Sequence, residues 1–194
     1  TLWHAFDHQR GYHPQPFYGG IMDAFRQPKI SYYMFMAQRP SEKLDKLPAE
    51  NGPMVYIANE MTPFSPQDVT VYSNCEEVRL TVFENGKKYI YQCSADERKM
   101  PAPIITFKDA FHFMDLKSLA RAGKQKEVYI LAEGLINGEI VATYKKYPSW
   151  RPASLRLRVD DDGLPLRADG SDVVTVIAEV VDEKGTVKRL NNTS

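Results

Sequence analysis

The densest polar cluster of the 194-residue chain is Trp3-His4-Ala5-Phe6-Asp7-His8-Gln9-Arg10-Gly11-Tyr12-His13. His4 and His8 stand at i, i+4, which on a helix would place two imidazoles on one face and suit a metal. The prolines and glycines that follow, together with Phe6, speak against a helix. On a strand the two rings would stand about 13 Å apart. No metal site is therefore expected. Asp7 and Asp23 are candidates for a carboxylate pair in acid–base work, but nothing in their spacing separates them from ordinary structural pairing. Trp3 has two readings that both stay open. It is either a core anchor or an exposed indole platform for the apolar face of a sugar ring, with Asp7 and His8 available for the hydroxyls.

Other motifs carry less. Asp160-Asp161-Asp162-Gly163 resembles a calcium loop but lacks the alternating ligands and distal Glu, and reads as an acidic turn. There is no nucleophile-elbow serine, phosphate-binding glycine loop or H-E-x-x-H motif. No metal or other cofactor is expected. Cys75 and Cys93 are the only cysteines, so a disulfide scaffold and a multi-cysteine zinc site are excluded. Asn85-Gly86 reads as a two-residue hairpin turn, which sets Val82 opposite Tyr89, Leu80 opposite Tyr91 and Val78 opposite Cys93. Cys75 then falls on the other face, and two free thiols are expected.

Lys plus Arg is 25 and Asp plus Glu is 25, so no global field attracts phosphate backbones and nucleic acid is a poor partner. Apolar residues make up 43%, enough for ordinary cores. No apolar run approaches the roughly 20 residues of a membrane span. Residues 1–15 do not read as a signal peptide.

These residues need elements to hold them. Pro28 suits a first helical position, and Ile30, Tyr33, Met34 and Ala37 repeat as one buried face up to Pro40. With a short strand at Thr1–Phe6 and a long loop at 7–25, residues 1–38 read as one βα unit. Such a unit cannot bury itself, so a larger upstream part is expected. Expressed without it, Trp3, Phe6, Phe17, Phe25, Ile30 and Tyr33 are expected to form an exposed apolar surface. Residues 39–52 are polar, hold prolines 40 and 48, and read as a linker. Strands are expected at 54–59, 69–74, 77–84, 87–93, 104–107, 128–136 and 139–147, with a second hairpin turn at Asn137-Gly138. This pattern suggests an immunoglobulin-like sandwich over 53–150. Strands at 154–159, 173–181 and 186–190 make residues 151–194 about half of a further sandwich, as if the chain were cut there too.

Trp3-His-Ala-Phe6-Asp7-His8, Gly19-Gly20-Ile21-Met22-Asp23, Arg26-Gln27-Pro28-Lys29 and Tyr32-Tyr33, in that order, resemble the end of the catalytic barrel in glycoside hydrolase family two. Val69–Leu80 with Asn85-Gly86-Lys87 is similar to the sandwich that follows that barrel in galactosidase-type members. Leu164–Asp172 ahead of 173–182 is similar to the start of a further immunoglobulin-like module. The resemblance implies a mainly β chain: the last βα unit of a (β/α)8 barrel, one sandwich and the start of a second. It implies a retaining exo-β-glycosidase acting on oligo- or polysaccharide through two glutamates upstream of residue 1, about 5–5.5 Å apart. No catalytic residue lies in this segment, which alone should be inactive. Trp3, Asp7 and His8 would border the sugar subsite. The loop from His8 to Gly20 lacks the Asn-x-Lys sugar-acid motif of glucuronidases, which favours a neutral sugar such as galactose. A periplasmic or extracellular bacterial location follows by analogy alone.

Two other readings stand beside this one. The chain could be a non-catalytic sugar-binding module with a platform drawn from Tyr89, Tyr91, Tyr144, Tyr147 or Trp150. Alternatively, the sandwiches are spacers or homo-oligomer contacts made through their edge strands.

Overall fold

The structure, a computed structural model, describes residues 4–46, 50–84, 87–94, 104–121, 127–161 and 165–188. The chain forms two compact units, Thr1–Tyr147 and Pro148–Ser194. The architecture is mainly β, and every strand pairing is antiparallel.

In the first unit, β1 (Val55–Ile57), β2 (Val69–Ser73) and β5 (Ile104–Phe107) form one sheet in the order β1-β2-β5. The other sheet has the order β4-β3-β6-β7, from β3 (Glu77–Glu84), β4 (Lys87–Ser94), β6 (Val128–Ile136) and β7 (Glu139–Lys146). Alternation does the sorting. Val69 and Val71 of β2, Val78, Leu80 and Val82 of β3, and Val128, Ile130 and Ala132 of β6 are buried, as period-two side chains on one face must be. Pairing follows the expected register, with Val82 opposite Tyr89, Leu80 opposite Tyr91 and Val78 opposite Cys93. The turn residues Asn85 and Gly86 lie outside the described residues. At the second hairpin Asn137 and Gly138 have φ of 51° and 78°, the left-handed pair that a type I′ turn requires. Cys75 is buried. It fills the space over Gly134, where a Cβ would lie 2.5 Å from its sulfur.

Helix α1 (Ile30–Met36) begins later than Pro28. Lys29 stays extended (φ −87°, ψ 171°), and its N–H donates to Ile21 O at 3.0 Å, so it caps the helix rather than joining it. Met36 and Ala37 are buried with Met54 and Tyr56, and Ile30, Tyr32 and Tyr33 pack around them. The Tyr33 and Tyr56 rings stack at 3.7 Å, 7° from parallel. This corrects part of the expected exposed surface. Ile30 and Tyr33 are covered by the sandwich itself, whereas Phe6, Phe17 and Phe25 are exposed. The two ends of the expected linker are tied down as well. The Asn74 amide donates to the carbonyls of Arg39 (3.2 Å), Pro40 (3.3 Å) and Gly52 (3.0 Å).

A second helix, α2 (Phe113–Arg121), interrupts a stretch expected to hold only strands and turns. Phe113 and Leu116, one turn apart, are both buried, and Asp115 and Arg121 sit at the ends that the helix dipole favours. The helical signal is present in the sequence, with Phe113, Leu116 and Ala120 at i, i+3 and i+7.

In the second unit, β8 (Ser154–Asp160) pairs with β9 (Thr175–Val181). The third expected strand is reduced to one bridge, Val187 to Val181, with residues 189–190 outside the described residues. Buried Asp182 organises this end. Its oxygens accept N–H groups from Trp150, Lys184 and Thr186 at 2.9–3.0 Å. Leu155, Leu157 and Val159 stand exposed on the ribbon.

Candidate functional site

The site is built from the loop that precedes α1. Two strand-like contacts bracket it. Phe6 bridges Met22 in parallel, with Met22 N–H donating to Ala5 O and Asp7 N–H to Met22 O, both at 3.0 Å. His8 and Phe17 bridge antiparallel, exchanging N–H to carbonyl bonds of 3.3 and 2.9 Å. The expected strand at Thr1–Phe6 is present among the described residues only as the Phe6 bridge.

Asp7 is the hub. It is 5% exposed, and its Oδ1 accepts from Gly20 N–H at 3.0 Å and Lys29 Nζ at 2.6 Å. The hydrogen bond from Lys29 holds its carboxyl below the ordinary range. Burial opposes that shift, and the Gly20 N–H and the charge of Lys29 add to it. Gly20 must be glycine for this approach, because a Cβ there would lie 2.3 Å from Phe6 C and 2.5 Å from Asp7 N. Asp23 does not join Asp7. Its Oδ1 accepts from Phe25 N–H (2.8 Å) and Gln27 N–H (2.9 Å), closing the turn that carries Arg26 at φ 65°. The two carboxylates are therefore separate structural anchors.

His8 is half-buried, and its ring lies 4.5 Å from that of His4 and 5.4 Å from that of Phe17. This corrects the strand estimate that held His4 and His8 far apart. The chain bends between its two bridges, so the rings converge without a helix. His4 titrates below its ordinary value, through burial first and then the neighbouring His8 and Arg10. Among the described residues no three His, Cys, Asp or Glu side chains are grouped to hold a metal. Trp3 lies outside the described residues. Lys29 and Gly20 were the partners that residue-by-residue reading of the sequence missed. Both sit in the quoted motifs, but contacts 22 and 13 residues away leave no local pattern.

Of the alternative sugar platform, the side chains of Tyr89 and Tyr91 lie outside the described residues. Tyr144 is 4.9 Å from Tyr56 inside the α1 cluster. Tyr147 is 6.2 Å from Tyr129, and Lys145 Nζ sits 3.7 Å from the Tyr129 ring centre and 5.0 Å from that of Tyr147. Phe83 stacks on Tyr129 at 4.9 Å. Tyr144 is thus engaged with Tyr56, whereas Tyr147 keeps 36% of its surface exposed.

A two-sheet antiparallel sandwich preceded by a helix and a tightly tied loop describes the class of protein. No protein-family profile matches the chain. Over 95% of its length it is 30% identical to a β-galactosidase of Thermoanaerobacter pseudethanolicus, and it spans 24% of that relative. Among solved structures it superposes on a β-glycosidase from Bacteroides vulgatus with a TM-score of 0.63 at 21% identity, covering 95% of this chain and 20% of that one. A β-glucuronidase from glycoside hydrolase family 2 gives a TM-score of 0.59 at 25% identity, over 89% of this chain and 15% of that one. The resemblance to family-two glycosidases is thus borne out. The chain spans about a quarter of its curated relative and less of these two structures.

Proposed function

We propose that the chain is the carboxyl-terminal portion of a retaining exo-β-glycosidase of the β-galactosidase type, removing terminal neutral sugars from oligo- or polysaccharides. On this reading residues 1–38 are the last βα unit of a (β/α)8 barrel and 39–52 a tied connection. Residues 53–150 are an immunoglobulin-like sandwich, and 151–194 the start of another. The upstream barrel is the partner that completes the pocket, and the edge strands are available for homo-oligomer contacts. Both catalytic glutamates lie upstream, so the 194 residues alone do not hydrolyse.

Trp3, Asp7 and His8 line the sugar subsite. Trp3 offers its indole to the sugar face, and His8 offers a ring nitrogen to a hydroxyl. Asp7 keeps Oδ1 for Lys29 and Gly20, leaving Oδ2 for the substrate side. The observation that carries this reading is the near full-length similarity to a β-galactosidase. The buried Asp7–Lys29 bond supports it, because a loop locked this way is preorganised for binding.

The test is hydrolysis of an aryl β-galactoside by the longer polypeptide that holds this sequence and its upstream strands. Hydrolysis that falls about 10²-fold in kcat/KM on Trp3→Ala, with none from the 194-residue chain, is expected. No hydrolysis of any aryl β-glycoside by the longer polypeptide, or activity in the 194 residues alone, would overturn the proposal.

A further inference from the structure

The turn closed by the His8–Phe17 bridge carries a charge that no carboxylate among the described residues pairs with. His13 N–H donates to Arg10 O at 2.9 Å, and the Gln9 amide donates to the carbonyls of Arg10 and His13. The backbone presenting Arg10 and His13 is therefore tied by its own side chain. Arg10 Cζ lies 4.6 Å from the centre of the Phe17 ring, a cation–π contact that holds the guanidinium beside this turn. Beside it is a hollow of about 210 Å³, lined by Arg10, His13, Gln15, Pro16 and Phe17.

Charge balance around this hollow is one-sided. Between residues 4 and 20 the sole carboxylate is Asp7. It is buried and committed to Lys29 and Gly20. Among the described residues no carboxylate pairs with Arg10. An arginine fork stays charged at every working pH and matches the planar or tripod oxygens of carboxylate and sulfate.

We propose that Arg10 and His13 form an anion subsite for a sulfate ester or uronate carboxylate carried on a saccharide. Gln15 offers an amide to ring hydroxyls, and Phe17 and Pro16 give apolar walls. The identity of the carrier as a saccharide rests on the glycosidase reading; the anion preference does not.

Calorimetric titration of the 194-residue chain with three disaccharides tests this: a sulfated galactobiose, a galacturonate-containing disaccharide and neutral galactobiose. At least one charged ligand is expected to bind about tenfold more tightly than the neutral one, the gain of one charge-assisted contact. The preference should shrink with added salt. The two charged arms decide between sulfate and carboxylate. Arg10→Met and His13→Ala should each reduce the preference, whereas the exposed control Arg151→Met keeps it. No measurable binding of either charged ligand, affinities within twofold of neutral, or a preference that survives Arg10→Met would overturn the proposal. Aryl β-galactoside hydrolysis by the longer polypeptide is read separately. Its failure with the anion preference intact removes the glycosidase reading and leaves this subsite standing.

Discussion

Lys29 Nζ lies 2.6 Å from Asp7 Oδ1, and this bond joins the start of the long loop to the residue that caps α1. Asp7 is almost wholly buried while Lys29 is about one-third exposed, so the pair is anchored from the carboxylate side. A buried carboxylate that loses its cation keeps the cost of burial without the compensating bond. Lys29→Met should therefore raise the Asp7 pKa above the ordinary carboxylate range and expose the loop. Carboxyl-carbon NMR titration and amide exchange at Gly20 and Met22 read both effects. An unchanged pKa would show that Lys29 does not hold the carboxylate.

The pH dependence of the loop follows from the same shift. Asp7 has a lowered folded pKa, so its contribution is present above the unfolded value near 4. It is lost as the pH falls through the lower folded value. Protection of the Gly20 and Met22 amides should stay flat from neutral pH down to about 4 and fall below it. Asp7→Asn should flatten that acid limb. Asp68, held low first by Lys108 and then by the Asp109 N–H, carries the same sign in the sandwich.

Gly134 is required by Cys75. A Cβ at 134 would come 2.5 Å from the Cys75 sulfur and 3.2 Å from its Cβ. Gly134→Ala should destabilise the chain by about 1–3 kcal/mol, the usual cost of overpacking. Removing the sulfur relieves most of the clash, so Gly134→Ala combined with Cys75→Ala should cost less than the two single changes added together. Denaturant melts of the four proteins measure it, and strict additivity would refute the contact.

The Tyr33–Tyr56 stack holds α1 to the sandwich. A double-mutant cycle to alanine at these positions should return about 0.5–1.5 kcal/mol of coupling beyond area burial. Tyr33→Ala should also increase exchange in α1 before it affects β3 and β6, because the cluster around α1 includes Tyr56, Tyr72 and Tyr144 but no residue of those strands. Simultaneous loss of protection in helix and strands would contradict this.

What was legible in the sequence is what short-range physics dictates. Period-two alternation set the bounds of β3, β5 and β6, since each strand's own side chains sort it between core and water. Asn137-Gly138 declared its turn because only residues tolerant of positive φ can close a two-residue hairpin there. Ordered motifs also pointed to the family before any contact was known. Helix α2 was legible too, in Phe113, Leu116 and Ala120 at i, i+3 and i+7, although only strands and turns were expected there. The helix start shifted from Pro28 because Lys29 is claimed by Ile21 and Asp7, neither of which is local. Only the tertiary structure could bring His4 beside His8, Asp7 beside Lys29 and Gly20, and Asn74 onto three carbonyls of residues 39–52. Those contacts depend on where the chain bends, and loop bends are chosen by distant partners rather than by the propensities of the residues that make them.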